Sequence, residues 1–298
     1  MLNDYYDRYK SLIETHLLDF LPEMDHHTET LYEAIKYSLL SGGKRIRPVL
    51  LLAACEFCGS DINLSLPYAV AVEYIHTYSL IHDDLPCMDD DDIRRGKPTN
   101  HKVFGEDFAV LAGDGLLTTA SEIMMKDMLL YFDNPDKLKS RVRAAYEIIK
   151  GSGCKGMVAG QVADIESQGM QCSNEYIEYI HFNKTAALIV AAVRAGVHLG
   201  SGENDRLEAL TAYGEAVGLG FQISDDLLDI YGDPAETGKS TGRDKAQSKC
   251  TFPIIYGVEE SKQRLNILTE RALEAVAPFY DEAEFFTAFA CSLAERNR

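Results

Sequence analysis

The 298-residue sequence predicts an all-α protein, and three observations carry that expectation. Apolar residues recur at three- and four-residue spacing through most of the chain, the period of one helix face. Most segments between turn residues run too long for strands, and no stretch alternates apolar and polar residues cleanly. The nine prolines fall mostly between those segments, where they stop one helix and start the next.

The elements follow in order. "TLYEAIKYSLL" sets Leu31, Ile35 and Leu39 on one face, with polar residues between. A helix starting near Pro48 runs on through the apolar "VLLLAACEFCG". "PYAVAVEYIHTYSLIHDD" opens on Pro67, a favoured first helical residue, and Pro86 forces its end. "EDFAVLAGDGLLTTASEIMMKDMLL", "NPDKLKSRVRAAYEIIKG", "NEYIEYIHFNKTAALIVAAVRAGVHLG" and "DRLEALTAYGEAVGLGFQISDDLLDIYG" each read as one long helix. Connections are short, and neither a repeat nor a low-complexity linker breaks the chain, so residues 1–298 read as a single domain. Glycines inside the helical runs, Gly196 and Gly218 among them, cost helix propensity. They imply either close helix–helix approach or simple tolerance.

A chain of this length, 46% hydrophobic, can bury roughly 75% of its unfolded surface, so a large core is available. The net charge of −18 repels nucleic acid and anionic membrane surfaces, so neither is an expected partner. Any phosphate must be met by local cations or by metals. Seven scattered cysteines do not look like a disulfide framework. Cys55 and Cys58 form a lone C-x-x-C in an apolar run and read as core thiols, because a zinc site needs about four ligands. The N-terminus mixes charged and apolar residues from the start, unlike a signal peptide. No uninterrupted apolar run approaches the ~18 residues of a membrane span. The expectation is a soluble, cytoplasmic protein without membrane insertion.

The chemistry concentrates in two places. "SLIHDDLPCMDDDDIRRGKPT" holds six aspartates between Asp83 and Asp92, followed at once by Arg94, Arg95 and Lys97. Two like charges about 4 Å apart repel by roughly 4 kcal/mol at an effective dielectric of ~20, so such a run must spread into water or bind a cation. Far downstream, "FQISDDLLDIYGD" carries Asp225 and Asp229 four residues apart, on one helix face, with Asp226 beside them. One such pair is common on surface helices; two clusters, each ending an apolar helix, point to magnesium held through carboxylates and substrate phosphates. Cations answer them. "SGGKRIRPVL" presents Lys44 and Arg47 after two glycines, Lys184 and Thr185 interrupt an apolar helix, and a Gly-rich loop carries Lys239, Arg243, Lys245 and Lys249. His76, two turns before Asp83, would by itself read as a satisfied core histidine.

"GGKRIRP", "LIHDDLPCMDDDDIRRGKPT", "GMVAGQVADI", "NKTAALI" and "GFQISDDLLDI", in this order, resemble the trans-isoprenyl diphosphate synthases, most closely the bacterial farnesyl diphosphate synthase type. The resemblance runs from about Leu31 to the C-terminus. It implies the isoprenoid synthase fold, a bundle of antiparallel helices around a deep central cavity, as a homodimer. It implies Mg²⁺, with Mn²⁺ as a substitute, held by Asp83, Asp84 and Asp89 and by Asp225, Asp226 and Asp229. Arg94, Lys184, Thr185, Gln222, Lys239 and Lys249 would meet the allylic diphosphate, and Lys44, Arg47, His76 and Arg95 that of isopentenyl diphosphate. Asp83, Asp84, Asp89, Lys184 and Asp225 would carry catalysis, with Gln161 and Asp164 in support. Asp90, Asp91 and Asp92 receive no role and are read as a solvated loop.

The implied activity joins isopentenyl diphosphate to dimethylallyl or geranyl diphosphate, giving mainly the C15 farnesyl product. Tyr78, bulky and five residues before Asp83, would stop the growing chain, with the small Ser79 beside it. The alternatives are a C20 geranylgeranyl product, a terpene cyclase, or a non-catalytic partner subunit. A cyclase has no second diphosphate, which would leave "GGKRIRP" without purpose. A non-catalytic subunit would be expected to lose aspartates or cations, and this sequence keeps them.

Overall fold

The computed structural model describes residues 2–170, 172–231 and 250–295. Helices account for nearly all of it: α1 (Leu2–His16), α2 (Glu29–Leu39), α3 (Ile46–Phe57), α4 (Leu66–Asp83), α5 (Asn100–Phe104), α6 (Glu106–Leu129), α7 (Pro135–Ser152), α8 (Met157–Ser167) and α9 (Asn174–His181). A π-helical turn (Phe182–Ala186) joins α9 to α10 (Ala187–Leu199), and α11 (Asn204–Tyr231) follows. The chain closes with α12 (Phe252–Tyr256), α13 (Val258–Val276) and α14 (Glu284–Glu295).

The core lies where α3, α4 and α10 meet. Leu50, Leu51, Leu52, Val70, Val72, Tyr74 and Val193 are fully buried there. A helix that is apolar all round belongs inside, and α4 is buried along most of its length until it reaches its charged end. It packs along α6, while α10 lies between α3, α7 and α11, and α11 lies against α13. The glycines of α10 and α11 mark close approach. A Cβ at Gly196 would lie 2.3 Å from the Leu51 carbonyl oxygen, and one at Gly218 would lie 2.5 Å from the Cβ of Ala186. α6 is long and apolar enough to cross a membrane by length and composition alone, and it packs against α2, α4 and α7.

Three features depart from the sequence reading. A short antiparallel hairpin, β1 (Ile93–Arg94) with β2 (Lys97–Pro98), follows the first aspartate cluster. The helix expected across 174–199 contains the π turn. α3 starts at Ile46, two residues before Pro48, directly after Arg45 in a left-handed conformation (φ 52°). Cys172 and Cys250, 78 residues apart, form a disulfide, so the expectation of thiols without a bridge fails for this pair. Only the fold brings the two together, which is why their spacing carried no signal.

Candidate active site

α4 ends at Asp83, three residues before Pro86, and the chain then curls back on itself. The amide of Asp89 donates to the Asp83 carbonyl at 2.9 Å, Asp90 turns through φ 52°, and the Asp91 amide donates to the Asp84 carbonyl at 3.2 Å. This curl sets Asp89 beside Asp83, both half-buried. Asp84 is 3% exposed, and Arg94 from β1 grips it: Nε donates to both carboxylate oxygens at 2.7 and 2.9 Å, and Nη2 lies at 2.7 Å. A bidentate guanidinium pair of this kind is both strong and directional. The solvated-loop reading holds for Asp90 and Asp92, which are exposed, and fails for Asp91. Asp91 is 4% exposed, because the returning hairpin packs Thr99 against it: Thr99 Oγ1 donates to the Asp91 carbonyl at 2.6 Å.

The second cluster sits on α11. Asp225 and Asp229 share a half-buried face, as their spacing requires. Asp226, 4% exposed, turns inward. Its Oδ1 accepts from Gln222 Nε2 at 2.9 Å, and its Oδ2 accepts from the Phe252 amide at 3.0 Å, with His181 Nε2 at 3.4 Å. Gln222 in turn accepts from Thr185 Oγ1 at 2.6 Å. Thr185 and Lys184 come from the π turn, a distortion that often marks functional positions. Gly160 of α8 packs directly beneath it, where a Cβ would lie 2.0 Å from the Lys184 nitrogen. Lys184 Nζ donates to Asp164 Oδ2 at 2.6 Å. Burial alone would depress this lysine, but Asp83, Asp164 and Asp89 outweigh burial and hold it above its ordinary value.

The third part is a corner of cations. Gly42 and Gly43 both have positive φ, and a Cβ on Gly43 would lie 2.7 Å from the Arg95 guanidinium, so only glycine fits there. Arg95 donates to the Gly42 carbonyl and, at 3.3 Å, to Ser41 Oγ. Arg47 Nη1 lies 3.4 Å from His76 Nε2. Burial pushes Arg47 down to about 10 against the pull of Glu73 and Asp225. Burial, and then Arg47, Arg95, Arg94 and Arg45, hold His76 well below its usual value, so it is neutral at pH 7. The Lys44 ammonium stands 5.5 Å from the ring centre of Phe221, next to Gln222.

The structure thus gathers the sequence candidates into one region. Lys184 lies in the field of Asp83 and Asp89, Arg47 in that of Asp225, and Lys44 over α11. Gln161 belongs to α8 with its Nε2 buried and without a partner. Tyr78 is 8% exposed, edge-on to His82 with 5.7 Å between ring centres, and Ser79 Oγ donates to the His76 carbonyl at 2.8 Å. Lys239 and Lys249, like Arg243 and Lys245, lie outside the described residues. Sequence reasoning missed the Phe252 amide, His181, Arg45 and Glu73. Of these only Arg45 left a trace, as the middle cation of "GGKRIRP".

An all-helical bundle with carboxylates of two helices set among buried guanidiniums defines the isoprenoid synthase fold class. The chain belongs to the polyprenyl synthetase family, whose model matches residues 28–281. It is 48% identical over 252 residues to the heterodimeric geranylgeranyl pyrophosphate synthase large subunit 1 of Arabidopsis thaliana chloroplasts, covering 84% of this chain and 67% of that protein. It is 46% identical over 276 residues to geranylgeranyl pyrophosphate synthase 11 of the same plant, covering 90% and 75%. Among solved structures, an FPP/GFPP synthase from Zymomonas mobilis superposes with a TM-score of 0.85 at 32% identity, over 99% of this chain and 100% of that one. A geranyltransferase from Helicobacter pylori, complexed with magnesium and isoprenyl diphosphate, gives a TM-score of 0.85 at 28% identity, over 99% and 96%. The chain is therefore a prenyltransferase. The narrower likeness to bacterial farnesyl diphosphate synthases gives way here, since these plant relatives are named for a geranylgeranyl product.

Proposed function

We propose that this enzyme elongates an allylic diphosphate with isopentenyl diphosphate, head to tail, in a magnesium-dependent reaction. The observation that carries the proposal is the division of the site's cations. Lys184 and Arg94 stand with the first aspartate cluster, whereas Arg47 and Arg95 act on His76 and Lys44 lies over α11. The donor set suits a hard divalent ion, because it offers carboxylate oxygens from two helices and no thiolate. Asp83, Asp84 and Asp89 with Asp225, Asp226 and Asp229 would hold it, Asp84 and Asp226 being fixed in place by protein donors. Bound magnesium, or manganese in its place, would draw charge from the departing diphosphate. Lys184 and Arg94 stabilise the same developing charge, and Arg47 and Arg95 fix the second diphosphate. Thr185 and Gln222 orient the first through their shared hydrogen bond.

For product length, the names of the plant relatives support a C20 geranylgeranyl product. C15 remains the alternative on the strength of Tyr78, bulky, 8% exposed and five residues before Asp83 on α4, which would stop a growing chain that ran along this helix. A homodimer is part of the same reading, supported by apolar side chains exposed along α6, including Leu111, Met125 and Leu129. Arg47→Ala should weaken isopentenyl diphosphate and Lys184→Ala the allylic substrate, each by about 10- to 100-fold, the worth of one charge-assisted hydrogen bond. Kinetics with each substrate varied in turn tests this; equal losses on both substrates would refute a two-site arrangement.

A further inference from the structure

Three cations stand close together at residues 44, 45 and 47, and Arg45 behaves unlike the two around it. It is 4% exposed and left-handed, with φ 52° and ψ 33°. For a residue with a side chain that conformation is unfavourable and persists only where the surroundings enforce it. Here they do. Its Nη1 donates to Glu73 Oε1 of α4, and its Nη2 donates to the Leu39 carbonyl at the end of α2 at 2.6 Å. Its Nε stands 3.7 Å from Glu14 Oε1 of α1. One planar guanidinium therefore ties three helices to the residue that launches α3.

Glu73 is equally buried, at 1% exposure, and precedes His76 by three residues on α4. The start of α3 is thus joined to α4 by two successive rungs, Arg45 to Glu73 and Arg47 to His76. The first rung is sealed in the protein, and the second belongs to the cation corner. The left-handed turn at Arg45 decides where its neighbours go: Lys44 on one side, whose carbonyl also accepts from Tyr6, and Arg47 one half-turn into the helix on the other. Glu73 is also the carboxylate whose charge acts on both Arg47 and Arg95.

We propose that Arg45 and Glu73 form a positioning pair for the isopentenyl diphosphate half of the site: neither touches substrate, and together they aim Lys44 and Arg47. This rests on reading Lys44, Arg47, His76 and Arg95 as the second diphosphate site. Lysine in place of Arg45 keeps the charge but cannot hold Glu73 and the Leu39 carbonyl at once. Glutamine in place of Glu73 keeps the shape and an acceptor but removes the charge.

The test is isothermal titration of isopentenyl diphosphate alone into the full-length wild type, Arg45→Lys and Glu73→Gln, followed by kinetics in both substrates. A misaimed pair of cations should raise the dissociation constant and KM for isopentenyl diphosphate at least about 10-fold in Arg45→Lys, and less in Glu73→Gln. KM for the allylic substrate should stay within about 2-fold, since that diphosphate meets Lys184 and Arg94. If the wild type binds no isopentenyl diphosphate, the reading of the site itself falls. If the wild type binds it and Arg45→Lys binds it equally well, the positioning pair alone falls. Equal weakening of both substrates in Arg45→Lys would mean a general structural role and would also overturn the proposal. The double variant Arg45→Met/Glu73→Leu guards against misfolding, because a buried ion pair can often be replaced by apolar residues without loss of stability. A stable double variant with weakened isopentenyl diphosphate binding supports positioning, and one with normal binding refutes it.

Discussion

The two aspartate clusters are built alike from different materials. In each, one carboxylate of an Asp-Asp pair is buried and satisfied by the protein, and its neighbour remains half-exposed. The first cluster is a curled loop beyond a helix end, and its buried member, Asp84, is held by a full positive charge, Arg94. The second lies on an unbroken helix, and its buried member, Asp226, is held by a side-chain amide and a backbone amide. The loop needs a cation because its like charges converge from several directions. The helix spaces Asp225 and Asp229 one turn apart. The lesson is a difference within each Asp-Asp pair: the inner carboxylate is fixed by hydrogen bonds from the protein, and the outer one stands half-exposed, Asp83 in the field of Lys184 and Asp225 in that of Arg47.

Breaking the outer members should have the largest effect on turnover. Asp83→Ala or Asp225→Ala should lower kcat by about 10²- to 10³-fold, the usual cost of removing one preorganised electrostatic group. The midpoint of thermal unfolding should move less than in the inner-member variants, since lost attraction to Lys184 or Arg47 is offset by relieved repulsion within the cluster. Single-turnover rates and thermal melts on the same preparations check this.

Breaking the inner members should reverse the pattern. Asp84→Ala takes from a mostly buried guanidinium its main partner, leaving Asp91 at 3.8 Å, and should cost about 3 kcal/mol of stability. Asp226→Ala leaves the Gln222 side-chain amide and the Phe252 backbone amide without their acceptor and should cost less, about 1–3 kcal/mol. Urea denaturation of both variants would show the order, and a more damaging Asp226→Ala would contradict the account of the two clusters.

A substitution one turn below the first cluster sharpens the picture further. Tyr78→Ala should lengthen the product toward C20 or beyond if the wild type makes C15, whereas Ser79→Phe should shorten it. Chromatography of the dephosphorylated products decides, and an unchanged distribution in both variants would remove α4 as the chain-length wall.

The smallest effect belongs to a carboxylate held by His198 and Arg194, away from either cluster. His198 and then Arg194 bring Glu147 down to about 2. Its folded value lies below its ordinary value of 4.5, so its contribution is complete above that value and is lost as the pH falls toward 2. Glu147→Gln should flatten the acid limb of the stability curve in that window and leave turnover at neutral pH unchanged. Melts between pH 2 and 5 measure it.

Much of this was legible in the sequence because it is local. Pro86 announced the end of α4, and the four-residue spacing of Asp225 and Asp229 placed them on one face. The motifs drew Lys184, Thr185, Gln222, Arg47 and His76 together before any coordinates did. What was not legible depends on contacts between distant segments. The Arg94–Asp84 grip needs a hairpin of two-residue strands, too short for any periodicity. The burial of Asp91 follows from the same hairpin. The π turn at 182–186 is hidden in an ordinary apolar run, and the bridge between Cys172 and Cys250 spans 78 residues. Arg45 sat in plain view, but its direction is set by a backbone angle that residue type alone does not announce.

The most direct test of the central claim is one incubation of the wild-type protein with dimethylallyl diphosphate, labelled isopentenyl diphosphate and magnesium, with the products separated by chain length. The account predicts labelled C15 or C20 prenyl diphosphate, abolished by excess chelator and restored by magnesium or manganese. Absence of any labelled prenyl product longer than C5, or full synthesis in excess chelator, would contradict it.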